Sequence, residues 1–86
     1  MAESSRYSCC FSTESVTFVL GLAKQKQRKV LDLAEGISAA PQSIGDFQTT
    51  DASGRAIENL LIEEFLFTYW IDHATREVQI TEILKV

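Results

Sequence analysis

The chain has 86 residues, a net charge of −4 and a sequence pI of 4.8. That length sets one domain, residues 1–86, as the expectation, and 45% hydrophobic with 23% charged residues is the balance of a folded chain rather than a disordered one. The acidic balance weighs against direct binding of free nucleic acid, for which a basic domain is expected. No window approaches the roughly 18 apolar residues of a membrane span.

A domain of this size buries only roughly 60–65% of its unfolded surface, so a partner covering an apolar face would matter to stability as well as to function. Residues 1–5 form a polar lead that is expected to be disordered, and no basic start with a long apolar core marks a secretory signal. Residues 6–11, with Tyr7, Cys9, Cys10 and Phe11, read as the first strand. The adjacent cysteines point to opposite faces of such a strand. They read as two free thiols in a reducing cytoplasm, with no disulfide framework and no metal spacing.

Ser12 and Thr13 offer helix N-caps, and Glu14 meets the positive end of the helix dipole. Val16, Phe18, Val19, Leu20, Leu22 and Ala23 then place a helix over residues 14–23, with Gly21 allowing close packing. Lys24-Gln25-Lys26-Gln27 is a hinge or the start of a second helix. In that helix Val30, Leu31, Leu33, Ala34 and Ile37 repeat at helical spacing until Gly36 and Pro41 end it.

Residues 42–54 read as a loop, with Phe47 tucked against the domain and Gly45 and Gly54 at positive φ or tight turns. Residues 55–62 are the second strand, and Glu63-Glu64 a turn. Residues 65–72 are the third strand, whose near-continuous apolar character suggests burial on both faces. Tyr69 and Trp70 alternate across it, one in the core and the other on the outer face. Residues 77–84 are the fourth strand, and Ile83 breaks its alternation, so a bulge is expected near Thr81 or Glu82. The result is an α+β domain in the order β-α-α-β-β-β: a twisted, mostly antiparallel four-stranded sheet with two helices packed on one side.

Several residues are candidates for chemistry or binding. Lys24, Lys26, Arg28 and Lys29 form a basic corner for a phosphate or an acidic partner; a solvated helix end is the plainer reading. His73, the single histidine, sits in the link before the last strand, where a turn role competes with acid–base work. Asp72 is placed to cap the same link. Arg55 and Arg76 are candidate anchors for phosphate or carboxylate, and Tyr69 and Trp70 candidate stacking surfaces. The adjacent Glu63 and Glu64 do not share a strand face, which argues against a two-carboxylate hydrolase.

The element order, with the stretches Gln27-Arg28-Lys29-Val30-Leu31-Asp32, Gly45-Asp46-Phe47 after Pro41, and Thr68-Tyr69-Trp70-Ile71-Asp72-His73-Ala74 before Glu77-Val78-Gln79-Ile80, resembles the RelE/ParE toxin superfamily of type II toxin–antitoxin systems. The resemblance runs from about Tyr7 onward. It implies a cognate antitoxin as partner, no cofactor, and one of two activities. RelE-type members cut messenger RNA on the ribosome; ParE-type members inhibit DNA gyrase.

RNA cleavage needs cations to stabilise the developing phosphorane and a group to move the 2′-hydroxyl proton. The family's third strand often carries Arg after an aromatic; here Leu66 follows Phe65. Residues 42–54 hold no Lys or Arg, and only Lys85-Val86 follows the last strand. Arg55, Arg76 and Lys85, with His73, are the catalytic candidates left. The resemblance therefore implies a ParE-like toxin acting by protein binding. Its alternatives are a ribosome-dependent endoribonuclease and a detoxified member kept as an interaction module.

Overall fold

A computed structural model describes residues 7–41 and 45–86; the polar lead, Arg6 and Ile44 lie outside the described residues. The elements are β1 (Ser8–Phe11), α1 (Thr13–Leu20), α2 (Lys24–Ala39), β2 (Phe47–Thr50), β3 (Ala56–Ile62), β4 (Phe65–Asp72) and β5 (Glu77–Lys85). The described sheet has five strands, in the order β1-β5-β4-β3-β2. β1 runs parallel to β5, and every other pair is antiparallel.

Both helices pack on one side of this sheet, as the sequence predicts. Val19 of α1 and Val30, Ala34 and Ile37 of α2 meet Phe65, Phe67, Tyr69, Val78, Ile80 and Ile83 in one core. Phe18 of α1 stands edge-on to Phe65, with ring centroids 6.2 Å apart. The strand alternation that gathers these residues breaks once. Thr68 pairs with Glu82 but Tyr69 with Ile80, which leaves Thr81 as an extra residue in β5. This is the expected bulge, and it returns Ile83 to the core face.

The bulge is tied to the start of α1. Ser12 donates through its backbone N–H to the Ile80 carbonyl at 2.9 Å and through Oγ to the Thr81 carbonyl at 2.7 Å. Ser12 Oγ also accepts from the Ser15 N–H, which makes it the N-cap. Ser15, fully buried, bonds back to the Ser12 and Ile80 carbonyls. The Ile80 and Thr81 carbonyls beside the bulge thus find donors in the Ser12 N–H and the Ser12 and Ser15 hydroxyls, as buried polar groups must.

Three expectations are corrected. The sheet has a fifth strand, because Phe47–Thr50 pairs with β3 instead of forming a loop. Phe47 consequently stands 53% exposed and is not tucked in. Side chains of β3 and its neighbours hold this strand: Glu58 accepts from the Gly45 N–H at 2.8 Å, and Asp46 accepts from the Leu61 N–H at 2.7 Å. Second, α1 ends at Leu20. Gly21 is its C-cap, its N–H bonding to the Thr17 and Phe18 carbonyls, so the helix stops before Leu22 and Ala23.

Third, β4 is buried on one face only. Phe65, Phe67 and Tyr69 are buried, while Leu66, Thr68 and Trp70 on the opposite face are half-buried. The two loop glycines also differ. Gly54 takes φ +85 in the β2–β3 turn, whereas Gly45 is required by close approach, since a Cβ there would lie 2.7 Å from the Asn59 carbonyl oxygen.

Candidate functional site

Strand register places Leu61, Leu66 and Leu84 side by side across β3, β4 and β5 on the sheet face away from the helices. Leu61 is 50% exposed and Leu84 44% exposed. Phe47 stands on the same face, because it pairs with Asn59 while Leu61 follows two residues along β3. Along β4 and β5 the charged residues of this face are Glu82, opposite Thr68, and the facing Asp72 and Glu77.

Between the leucine row and Trp70 runs a polar strip. Asn59 donates to Thr49 Oγ1 at 3.2 Å and accepts from Thr68 Oγ1 at 3.2 Å, so its amide is satisfied within the sheet. Arg55 lies over this face with its guanidinium carbon 3.9 Å from the centre of the Trp70 ring. Its Nη1 is 3.7 Å from Asp51. Asp51 also accepts from Ser53 and from the Arg55 N–H. The Ser53 hydroxyl, with the Arg55 N–H, holds the Asp51 carboxyl below its ordinary range. Arg55 is thus held by a cation–π contact and a turn carboxylate.

Tyr69 and Trp70 divide as expected: Tyr69 is in the core and Trp70 on the outer face. Burial pushes the Tyr69 phenol up, and the Glu58 and Asp46 carboxylates add to the shift. His73 and Tyr7 share a hydrogen bond of 2.7 Å between Nδ1 and the hydroxyl, with their rings edge to face. The pair joins the lead into β1 to the β4–β5 turn. Asp72 caps that turn, accepting from the Ala74 and Thr75 N–H groups.

The remaining cations are dispersed. Arg55, just before β3, lies toward the Asp72 end of β4, where His73 and Arg76 also lie. Lys85 ends β5 opposite Phe65, nine residues beyond Arg76, which is roughly 30 Å along a strand. In the basic corner, Lys26 pairs with Glu64, and Lys29 with Glu63 at 3.0 Å. Lys24 and Arg28 are exposed on α2.

The paired role of Glu63 and Glu64 is what sequence reasoning missed. The sequence offers adjacent carboxylates in a turn and a basic helix start, more than 30 residues apart, and only the fold brings them together. Both cysteines are free thiols on opposite faces. The Cys9 Sγ donates to the Ala34 carbonyl at 3.0 Å, and burial raises its pKa. Among the described residues no group of three or more His, Cys, Asp or Glu is placed to hold a metal ion, and no helix is long and apolar enough to cross a membrane.

No protein-family model matches this sequence, and no curated protein is significantly similar to it. Solved structures are similar in fold. A chain of the toxin–antitoxin complex RelBE2 from Mycobacterium tuberculosis superposes with a TM-score of 0.78 at 17% identity, covering 94% of this chain and 99% of that one. The archaeal RelE-RelB complex from Pyrococcus horikoshii OT3 gives 0.67 at 11% identity, covering 94% of each chain. The intact Escherichia coli RelBE complex gives 0.59 at 11% identity, covering 93% of this chain and 96% of that one. The chain therefore has the α+β fold of the RelE toxins, as the resemblance in its sequence implies.

Proposed function

We propose that this chain is the toxin component of a bacterial type II toxin–antitoxin pair, acting in the cytoplasm by binding a protein target in the ParE manner and neutralised by a cognate antitoxin. The fold supports the class, since its structural neighbours come from toxin–antitoxin complexes. The observation that carries the mode of action is the make-up of the open sheet face. A leucine row and carboxylates occupy it, and its cation, Arg55, is engaged with Trp70 and Asp51.

RNA cleavage asks for several cations converging on one phosphate. Here Arg76 and Lys85 stand at opposite ends of β5. An apolar, acidic face suits a protein surface, and DNA gyrase is the target that the family resemblance suggests. The second reading, a ribosome-dependent endoribonuclease, draws on the RelE structures among the neighbours and on Arg55, His73 and Arg76 lying toward one end of the sheet.

Induced expression in a bacterial host, with and without the neighbouring reading frame, tests the class. Growth arrest relieved by the neighbour is expected; arrest-free growth with folded protein overturns it. During arrest, gyrase-dependent supercoiling should fall while primer extension finds no new cuts in messenger RNA. Cuts at ribosomal A sites would replace the binding mechanism with the nuclease.

A further inference from the structure

β2 is an outer strand of the described sheet, and among the described residues no strand pairs with its far side. The Asp51 N–H donates to the Arg55 carbonyl at 3.0 Å, so that pair bonds across to the β3 side. Backbone groups alternate along an antiparallel strand, so Thr49 and Phe47 also bond toward β3, while the N–H and C=O of Gln48 and Thr50 point away from it. The Leu61 N–H obeys the same alternation: it points to the β2 side beyond the last pair, Phe47 with Asn59, and is taken by Asp46.

Outer strands are ordinarily blunted by Lys, Pro or a bulge. Phe47–Thr50 has none of these: its residues are uncharged, all four are exposed, and its register with β3 runs without a shift. The carboxylates around it are engaged within the chain. Asp46 accepts from the Leu61 N–H, Glu58 from the Gly45 N–H and from Gln48, and Asp51 from Ser53 and Arg55.

We infer that this edge pairs with the same edge of a second copy of the chain, antiparallel about a two-fold axis at Thr49, to make one continuous sheet. In that register Gln48 faces Thr50 of the second copy, and the outward groups of both exchange main-chain hydrogen bonds on either side of the axis. Asp51 faces Phe47 of the second copy and Asp46 faces its Ala52, so no charge opposes a charge across the axis. Two chains of net charge −4 therefore meet along an uncharged stretch. Nucleic acid finds no cation on this strand, and a helix offers no main-chain groups to its edge. Phe47 lies two residues from the axis on the face of the leucine row, so pairing joins the two open faces into one surface. This self-association does not depend on the toxin–antitoxin reading.

Sedimentation equilibrium of the full chain, alone, tests it. A reversible monomer–dimer equilibrium is expected, and the Gln48 and Thr50 amides should exchange with deuterium at least about tenfold more slowly in the dimer. Thr50→Pro removes an outward N–H without touching a bond to β3, and should weaken the dimer by about tenfold or more. Gln48→Lys/Thr50→Lys sets like charges opposite one another and should weaken it similarly; Gln48→Lys/Thr50→Glu sets opposite charges there and should restore it. Leu20→Asp, an exposed change at the end of α1, should dimerise as the parent does. A monomer alone up to about 1 mM, a dimer that leaves both amides exchanging as before, or a Lys/Glu variant no better than the Lys/Lys one overturns the pairing. So does a monomer whose two amides slow only on binding the product of the neighbouring reading frame, which would give the edge to that protein.

Discussion

Two single positions show how local geometry constrains this fold. Gly45 has no positive φ to defend; the Asn59 backbone leaves no room for a Cβ beside it. Gly45→Ala must push the start of β2 away from β3 and should cost about 1–3 kcal/mol in urea unfolding, the usual cost of overpacking. Arg76 is the opposite case. It holds φ +57 in the β4–β5 turn, in the left-handed region where a side chain is strained. Arg76→Gly relieves that strain at the expense of some chain entropy, and a gain of about 0.5–1 kcal/mol is expected. The same variant bears on mechanism. A phosphate-binding Arg76 would lose activity as the protein gained stability, whereas a turn residue would leave growth arrest unchanged.

At the scale of elements, much of the architecture was legible because periodicity and end signals agreed. Ser12 capped α1, Pro41 followed the end of α2, and Ile83 falling out of step marked the bulge at Thr81. β2 was not legible. Phe47-Gln48-Thr49-Thr50 carries one large apolar residue, and its strand form depends on Glu58, Asp46 and Asn59 reaching partners distant in sequence. Asp51 and Gly54, which shape the turn into β3, were the hairpin cue. The apolar run of β4 misled for a related reason. Leu66 and Trp70 are apolar without being covered by a helix, so composition alone could not separate a core face from an open one.

The clasp between the start of α2 and the β3–β4 turn has a pH signature. The hydrogen bond from Lys26 holds the Glu64 carboxyl below its ordinary range, as the Ser53 hydroxyl does for Asp51. A depressed folded pKa means that the unfolded chain takes up protons first as pH falls. These groups therefore contribute fully above the ordinary carboxylate values, and their contribution is lost on acidification through the folded values. The urea midpoint should be insensitive to them between pH 7 and about pH 5 and fall below that. Glu64→Gln should make the acid decline shallower; an unchanged decline would remove the clasp as a cause.

For the molecule as a whole, the sequence conveyed the fold better than the site. Apolar spacing and turn chemistry leave traces in a short window, but the separation of Arg76 from Lys85 and the pairing of Lys26 with Glu64 depend on tertiary placement. The leucine row was hidden for the same reason: Leu61, Leu66 and Leu84 are neighbours only once three strands are in register.

The parallel pairing of β1 with β5 has a consequence for how the chain becomes a protein. The earliest described strand takes its place only against the latest, Cys9 beside Val78. Such distant pairing must close a long loop before it returns any stabilisation, which slows folding. A ribosome making this chain therefore holds the helices and the β2–β3–β4 strands without a complete sheet until β5 has emerged. Any activity that needs the finished sheet stays silent until β5 has taken its place. A nascent chain arrested before Glu77 should be protease-sensitive, and one carried past Lys85 and free of the exit tunnel should be resistant; early resistance would show that β1 has found another way to be held.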